Sequence, residues 1–172
     1  MLSWNVLLNE DAFPDYKIRE TAIPVIDSDS KIMCLSNCKE NLCGHYDTNW
    51  GCPPGFTMKR EMTEYRSSVL VSREYAFERD RDPSNMMSEM QETIRNMVLM
   101  LRRNGIECDG IADGGCRYCG VCAYPEPCRF PDMLIPSVSA LGIDMGRFLA
   151  DCGEEFSFEE GKATMYGIIL LM

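Results

Sequence analysis

Histidine, basic charge and long apolar runs are all scarce in this sequence, and each shortage removes a class of function. One histidine, His45, stands among 172 residues, so a Ser-His nucleophile would have to be built on it, and no local pattern supports one. Lys and Arg number 17 against 27 Asp and Glu, a formal charge of −10. That sign opposes phosphate backbones and anionic lipid surfaces, so neither nucleic acid nor membrane is an expected partner. The longest apolar run is the closing Gly167 to Met172, far short of the about 20 residues of a spanning helix. A Walker phosphate loop, a dinucleotide fingerprint and a metalloprotease helix are also missing. Met1 to Glu10 carries no basic leader, long apolar centre or small-residue cleavage site, and the expected location is cytoplasmic. With no internal repeat and no Ser/Gly-rich linker, 45% apolar and 26% charged residues describe one globular domain over residues 1–172.

What is present in excess is cysteine, ten in all. A reducing cytosol keeps thiols unpaired, so a dense Cys pattern there points to metal or catalysis; disulfides of an exported protein are the alternative. Cys34, Cys38, Cys43 and Cys52 form one group, Cys116, Cys119, Cys122 and Cys128 a second, and Cys108 and Cys152 stand apart as candidate small core residues or a redox pair.

Between the groups the chain reads as a small sheet layered with helices, α/β or α+β. Ser67 to Phe77 alternates Val69, Val71, Tyr75 and Phe77 on one side and predicts a strand. Residues 83–104 follow the helical period through Met86, Met90, Ile94, Met97, Val98 and Leu101. Asp82 is the expected cap, Pro83 the first turn and Gly105 the stop. Ile106 to Ala112 and Met165 to Leu171 read as strands. Ser137 is expected to cap one helix that turns Val138, Leu141, Met145, Phe148 and Leu149 inward, with Gly142 and Gly146 on a shared face open to close approach. The first Cys segment, residues 31–57, is dense in Gly, Pro, Asn and Asp, resists helix or strand, and calls for a bound metal to order it.

The second Cys segment, residues 114–131, separates Cys116, Cys119 and Cys122 by two intervening residues each and Cys122 from Cys128 by five. This is close to the ferredoxin run C-x2-C-x2-C-x3-C-P, with a longer last gap and the proline, Pro127, before the final Cys. Four thiolates here suit one [4Fe-4S] cluster, with Gly114, Gly115 and Gly120 free to aim N–H groups at sulfur. Zinc is the competitor, since Cys116 and Cys119 also have knuckle spacing. In the first group the gaps are three, four and eight, and Cys52 runs into Pro53 and Pro54. Tyr46 and Trp50 are candidate shields for that site, and His45 a candidate ligand, proton carrier or turn residue.

The stretch CGHYDTNWGCPP from Cys43 to Pro54, followed by CRYCGVCAYPEPCRFP from Cys116 to Pro131 and PSVSALGIDM from Pro136 to Met145, resembles a family of prokaryotic predicted metal-binding proteins, domain of unknown function 2284. The resemblance runs from about Cys34 to Gly153. The family has Tyr-Gly where this chain has Tyr46-Asp47, Glu-Ala where it has Ser139-Ala140, and a Cys four places before the one matched by Cys43, where Cys38 lies five before. It implies metal binding and brings no reaction or substrate. With eight grouped cysteines, the expected function is a carrier of two [4Fe-4S] clusters that passes single electrons to a redox partner protein or enzyme. Two alternatives stay open. One is a cluster-dependent enzyme with an open iron at the first Cys group. The other is a zinc-stabilised module that grips a partner through the Met-bearing helix or the acidic tail Asp151 to Glu160.

Overall fold

The structure, a computed structural model, describes residues 3–78, 82–155, 158–159 and 161–172. In chain order its elements are α1 (Trp4–Leu7), β1 (Lys17–Thr21), α2 (Ser28–Lys39), β2 (Ser67–Phe77), α3 (Ser84–Arg103), β3 (Cys108–Ala112), α4 (Val138–Leu141), α5 (Met145–Asp151), β4 (Phe158–Glu159) and β5 (Gly161–Leu171). The sheet runs β1-β2-β5-β3, with β4 on β5, and every pairing is antiparallel. Of the two classes read from the sequence, this is α+β. Among the described residues no helix is long and apolar enough to cross a membrane.

Strand alternation sorts the core into two layers. Val69 and Val71 of β2, with Met165 and Ile169 of β5, face α3 through Met90, Ile94, Met97, Val98 and Leu101. Leu70, Tyr166, Ile168 and Leu170 face the other way, onto Leu141, Ile143, Phe148 and Leu149. The two central strands are thus covered on both faces, which is why the end of β5 reads as an unbroken apolar run. The methionine stripe of α3 is spent on this packing: Met90 and Met97 are fully buried and unavailable as a partner surface. Asp82 receives the Ser84 N–H at 2.9 Å, Pro83 sits at the cap position, and Gly105 turns left-handed after the last turn.

Glycines let α3 lie close to the sheet. A Cβ on Gly167 would stand 2.4 Å from Ile94 Cδ1, and one on Gly110, the next strand over, 2.7 Å from Val98 Cγ2. Overpacking a filled layer costs about 1–3 kcal/mol. Gly167→Leu is therefore expected to lower stability by at least that much, read as a lower urea midpoint with an unchanged slope.

Two expected features are corrected. Residues 31–57 are not all loop, because α2 continues to Lys39 and carries Cys34 and Cys38 one turn apart. A reciprocal cap between Asp27 and Ser30 nucleates it, and the breakers begin only at Asn41, which has φ 53°. The helix after Ser137 is also two helices. Ser137 caps α4 at Ala140 N–H as expected, but Gly142 is left-handed at φ 78°, and Asp144 recaps α5 at Arg147 N–H. A Cβ on Gly142 would lie 3.1 Å from Lys31 Cα, so this glycine admits α2. Gly146 belongs to the other helix and is exposed.

Cys108 is buried on the α3 side of the sheet and Cys152 packs on the opposite side, which separates them as a redox pair. Of the acidic tail, residues 156, 157 and 160 lie outside the described residues. Glu154 within it is already paired, with Lys17 at 2.6 Å and Arg19 at 3.2 Å.

Candidate metal centre

Both Cys loops meet at the C-terminal end of β3. Ala112 bridges to Ser137 in parallel, and Ser137 N–H donates to Gly51 O at 2.8 Å, which fastens the first loop beside the second. Buried Asn49 completes the joint: its Nδ2 donates to Cys116 O at 2.9 Å and its Oδ1 accepts Gly51 N–H at 2.8 Å.

In the second loop Cys116, Cys119, Cys122 and Cys128 line one pocket, closed by Trp50 and Phe130. An N–H aimed at sulfur is that of Trp50, 3.4 Å from Cys122 Sγ. The expectation for Trp50 is corrected accordingly. It belongs to the second site, with its indole N–H donated to Glu126 O at 2.7 Å and its ring edge-on to Tyr124. The physical reason is direction: residues 49–52 cross between the sites, so neighbouring side chains fall on opposite sides.

In the first loop Cys38, Cys43 and Cys52 line a cavity of ≈ 290 Å³ together with His45, Tyr46 and Arg117. Burial first, and then the nearby charges of Cys43 and Cys38, push the Cys52 thiol up to about 12. Burial and the Cys43 charge raise Cys38 as well. Thiols that hold one another protonated are a donor set suited to a cationic core, which repays the charge of their ionised forms. Cys34 is set apart. Its Sγ donates to Ile143 O at 3.4 Å, and it lines a neighbouring cavity beside Asp144. Burial lowers the His45 pKa, and the Arg117 charge lowers it further, so the ring is neutral near pH 7.

The two sites touch. A Cβ on Gly115 would stand 2.4 Å from Cys52 Sγ, and one on Gly51 would stand 2.6 Å from Cys116 N. Each loop presents a glycine to the other loop's cysteine, and neither glycine has a positive φ, so the requirement is space rather than conformation. Among the described residues no three Cys, His, Asp or Glu side chains converge on one ion as placed. Loading therefore calls for the thiols to turn inward about χ1. The donors fit soft metals, zinc or iron with sulfide alike.

Asp47 explains one departure from the family pattern. It has φ 56°, a conformation glycine takes freely, and its carboxylate accepts the Tyr124 hydroxyl at 2.6 Å, a second tie between the loops. Sequence reasoning missed Arg117, Met87 and Asp113 on the first cavity. Arg117 lies between two cysteines of the second motif, and nothing local shows that its side chain serves the other site. Asp113 accepts Tyr166 N–H at 2.9 Å, and burial raises its carboxyl to about 6.

Comparison with curated proteins and comparison with solved structures each returned no match. A family model described as predicted metal-binding protein, domain of unknown function 2284, matches residues 22–171. The match spans both thiol groups and every strand of the sheet except β1, and the chain belongs to that family.

Proposed function

We propose that this metal-binding protein holds two iron–sulfur clusters side by side, of the [4Fe-4S] type, and passes single electrons to a redox partner protein or enzyme. The observation that carries the reading is the contact of the two thiol groups through Gly51–Cys52 and Gly115–Cys116. Structural zinc sites gain nothing from adjacency, whereas an electron relay depends on it. Bound clusters would supply one-electron transfer. The chain's own part is to deliver thiolates, aim the Trp50 N–H at Cys122 sulfur, and cover the second site with Trp50 and Phe130, levers that set potential. Its net negative surface suits steering onto a basic partner.

One observation favours a second role at the first site. Cys34 is engaged with Ile143 O, which leaves Cys38, Cys43 and Cys52 as three thiols on an open cavity. A cluster held by three thiolates keeps one metal position for a ligand. Anaerobic purification with iron, sulfide and zinc analysis tests the proposal. About eight irons per chain and paired, magnetically interacting signals in the reduced protein are expected. A colourless protein with stoichiometric zinc overturns it.

A further inference from the structure

We propose that the cavity beside Cys38, Cys43 and Cys52 binds a small carboxylate, with its head on Arg117 and an apolar tail against Met87 and Met165. Arg117 Nε is buried with no hydrogen-bond partner. The Nε lies 3.6 Å from the point where a Gly114 Cβ would stand, Arg117 lines this cavity, and its Nη2 donates to Met87 Sδ at 3.5 Å. Among the described residues no carboxylate stands within ion-pair distance of Arg117, although its charge is felt at Asp82. Asp113, the acid on the same wall, accepts the Tyr166 N–H on its Oδ2. An enclosed guanidinium donor with no acceptor is costly unless an anion completes it, and the planar fork of arginine matches a carboxylate in two bonds.

Size and lining narrow the class. The volume of ≈ 290 Å³ is shared with whatever Cys38, Cys43 and Cys52 hold, which leaves room only for a ligand smaller than those of usual sites, roughly 300–1,000 Å³. Arg117 is the one cationic guanidinium on a lining that is otherwise sulfur-bearing and apolar except for His45, Tyr46, Asp113, Ser137 and Ser139, which fits a singly charged head with a short hydrocarbon tail. A dianion such as phosphate would need more donors and would be repelled more strongly by thiolates on the opposite wall. The inference deepens the reading of the first site as open, yet the head rests on Arg117 and not on a metal.

The test is calorimetric titration of the anaerobically purified full chain with butyrate, with butyramide as the uncharged match and inorganic phosphate as the competing anion. Butyrate is expected to bind about ten-fold or more tightly than either, the size of a charge-assisted bond. Arg117→Gln is expected to lose about that factor and Arg117→Lys part of it, with iron content held constant. Should Arg117→Gln fail to retain iron, the wild-type contrast of butyrate with butyramide still decides. Equal binding of those two, stronger binding of phosphate, or no butyrate heat overturns the proposal. Iron-free protein that still prefers butyrate removes the cluster reading and keeps the carboxylate site; iron-loaded protein indifferent to the head group does the reverse.

Discussion

Cys122→Ser protein is expected to bind about four irons where the unaltered chain binds about eight, and to lose one of two reduced-state signals. All four thiols of the second loop line one pocket, and Cys122 is the sulfur that receives the Trp50 N–H. A hydroxyl in its place is a harder, weaker ligand for iron. The first loop separates its own thiols in the same assay. Cys38→Ser is expected to empty the first site, since Cys38 shares its cavity with Cys43 and Cys52. Cys34→Ser is expected to keep full iron, since its sulfur is turned to Ile143 O. Equal iron loss in Cys34→Ser and Cys38→Ser would make the first site a four-thiol site and close its cavity to an outside ligand.

Gly115→Ala is expected to lose iron from both sites at once. Its new methyl group would stand 2.4 Å from Cys52 Sγ, far inside contact distance, and the neighbour it displaces is a ligand of the other loop. Relief requires the Cys52 thiol to leave its rotamer or the 113–116 or 51–52 backbone to shift, and Asn49 ties those segments together through Cys116 O and Gly51 N–H. Movement on one side is thereby passed to the other. Gly120→Ala is the matched control in the same loop, because nothing lies within 4 Å of its added carbon; iron content and both signals are expected to be unchanged. Loss from the second site alone in Gly115→Ala would mean that the two loops yield independently and that their contact does not matter for loading.

The legible parts of the fold are those whose burial repeats along the chain. β2, α3 and β5 carry their core residues at spacings of two or three to four, because each presents a continuous face to a neighbour. Helix α2 escapes that logic. It buries only Ser30 and Cys34 and leaves Ile32, Met33 and Leu35 exposed, so no apolar stripe marks it, and its start is written instead in the Asp27–Ser30 cap. The break between α4 and α5 escapes for the opposite reason. Val138, Leu141, Met145, Phe148 and Leu149 are all buried and keep helical spacing across a left-handed Gly142 that packs on Lys31. Periodicity shows which side faces the core and not whether the axis runs straight.

The sequence by itself determined the chemistry available: thiols in two groups, a ferredoxin-like spacing in the second, and strands and a helix able to support them. Only the tertiary structure decided which thiols share a cavity, that Cys34 turns away, that Trp50 serves the second site, and that Arg117 reaches across to the first. Spacing along a chain fixes what neighbouring residues can do together, since their separation is set by covalent geometry. Contact between segments far apart in the chain depends on the β3–β5 register, the Ala112–Ser137 bridge and the room left by Gly51 and Gly115, and no local pattern encodes those distances.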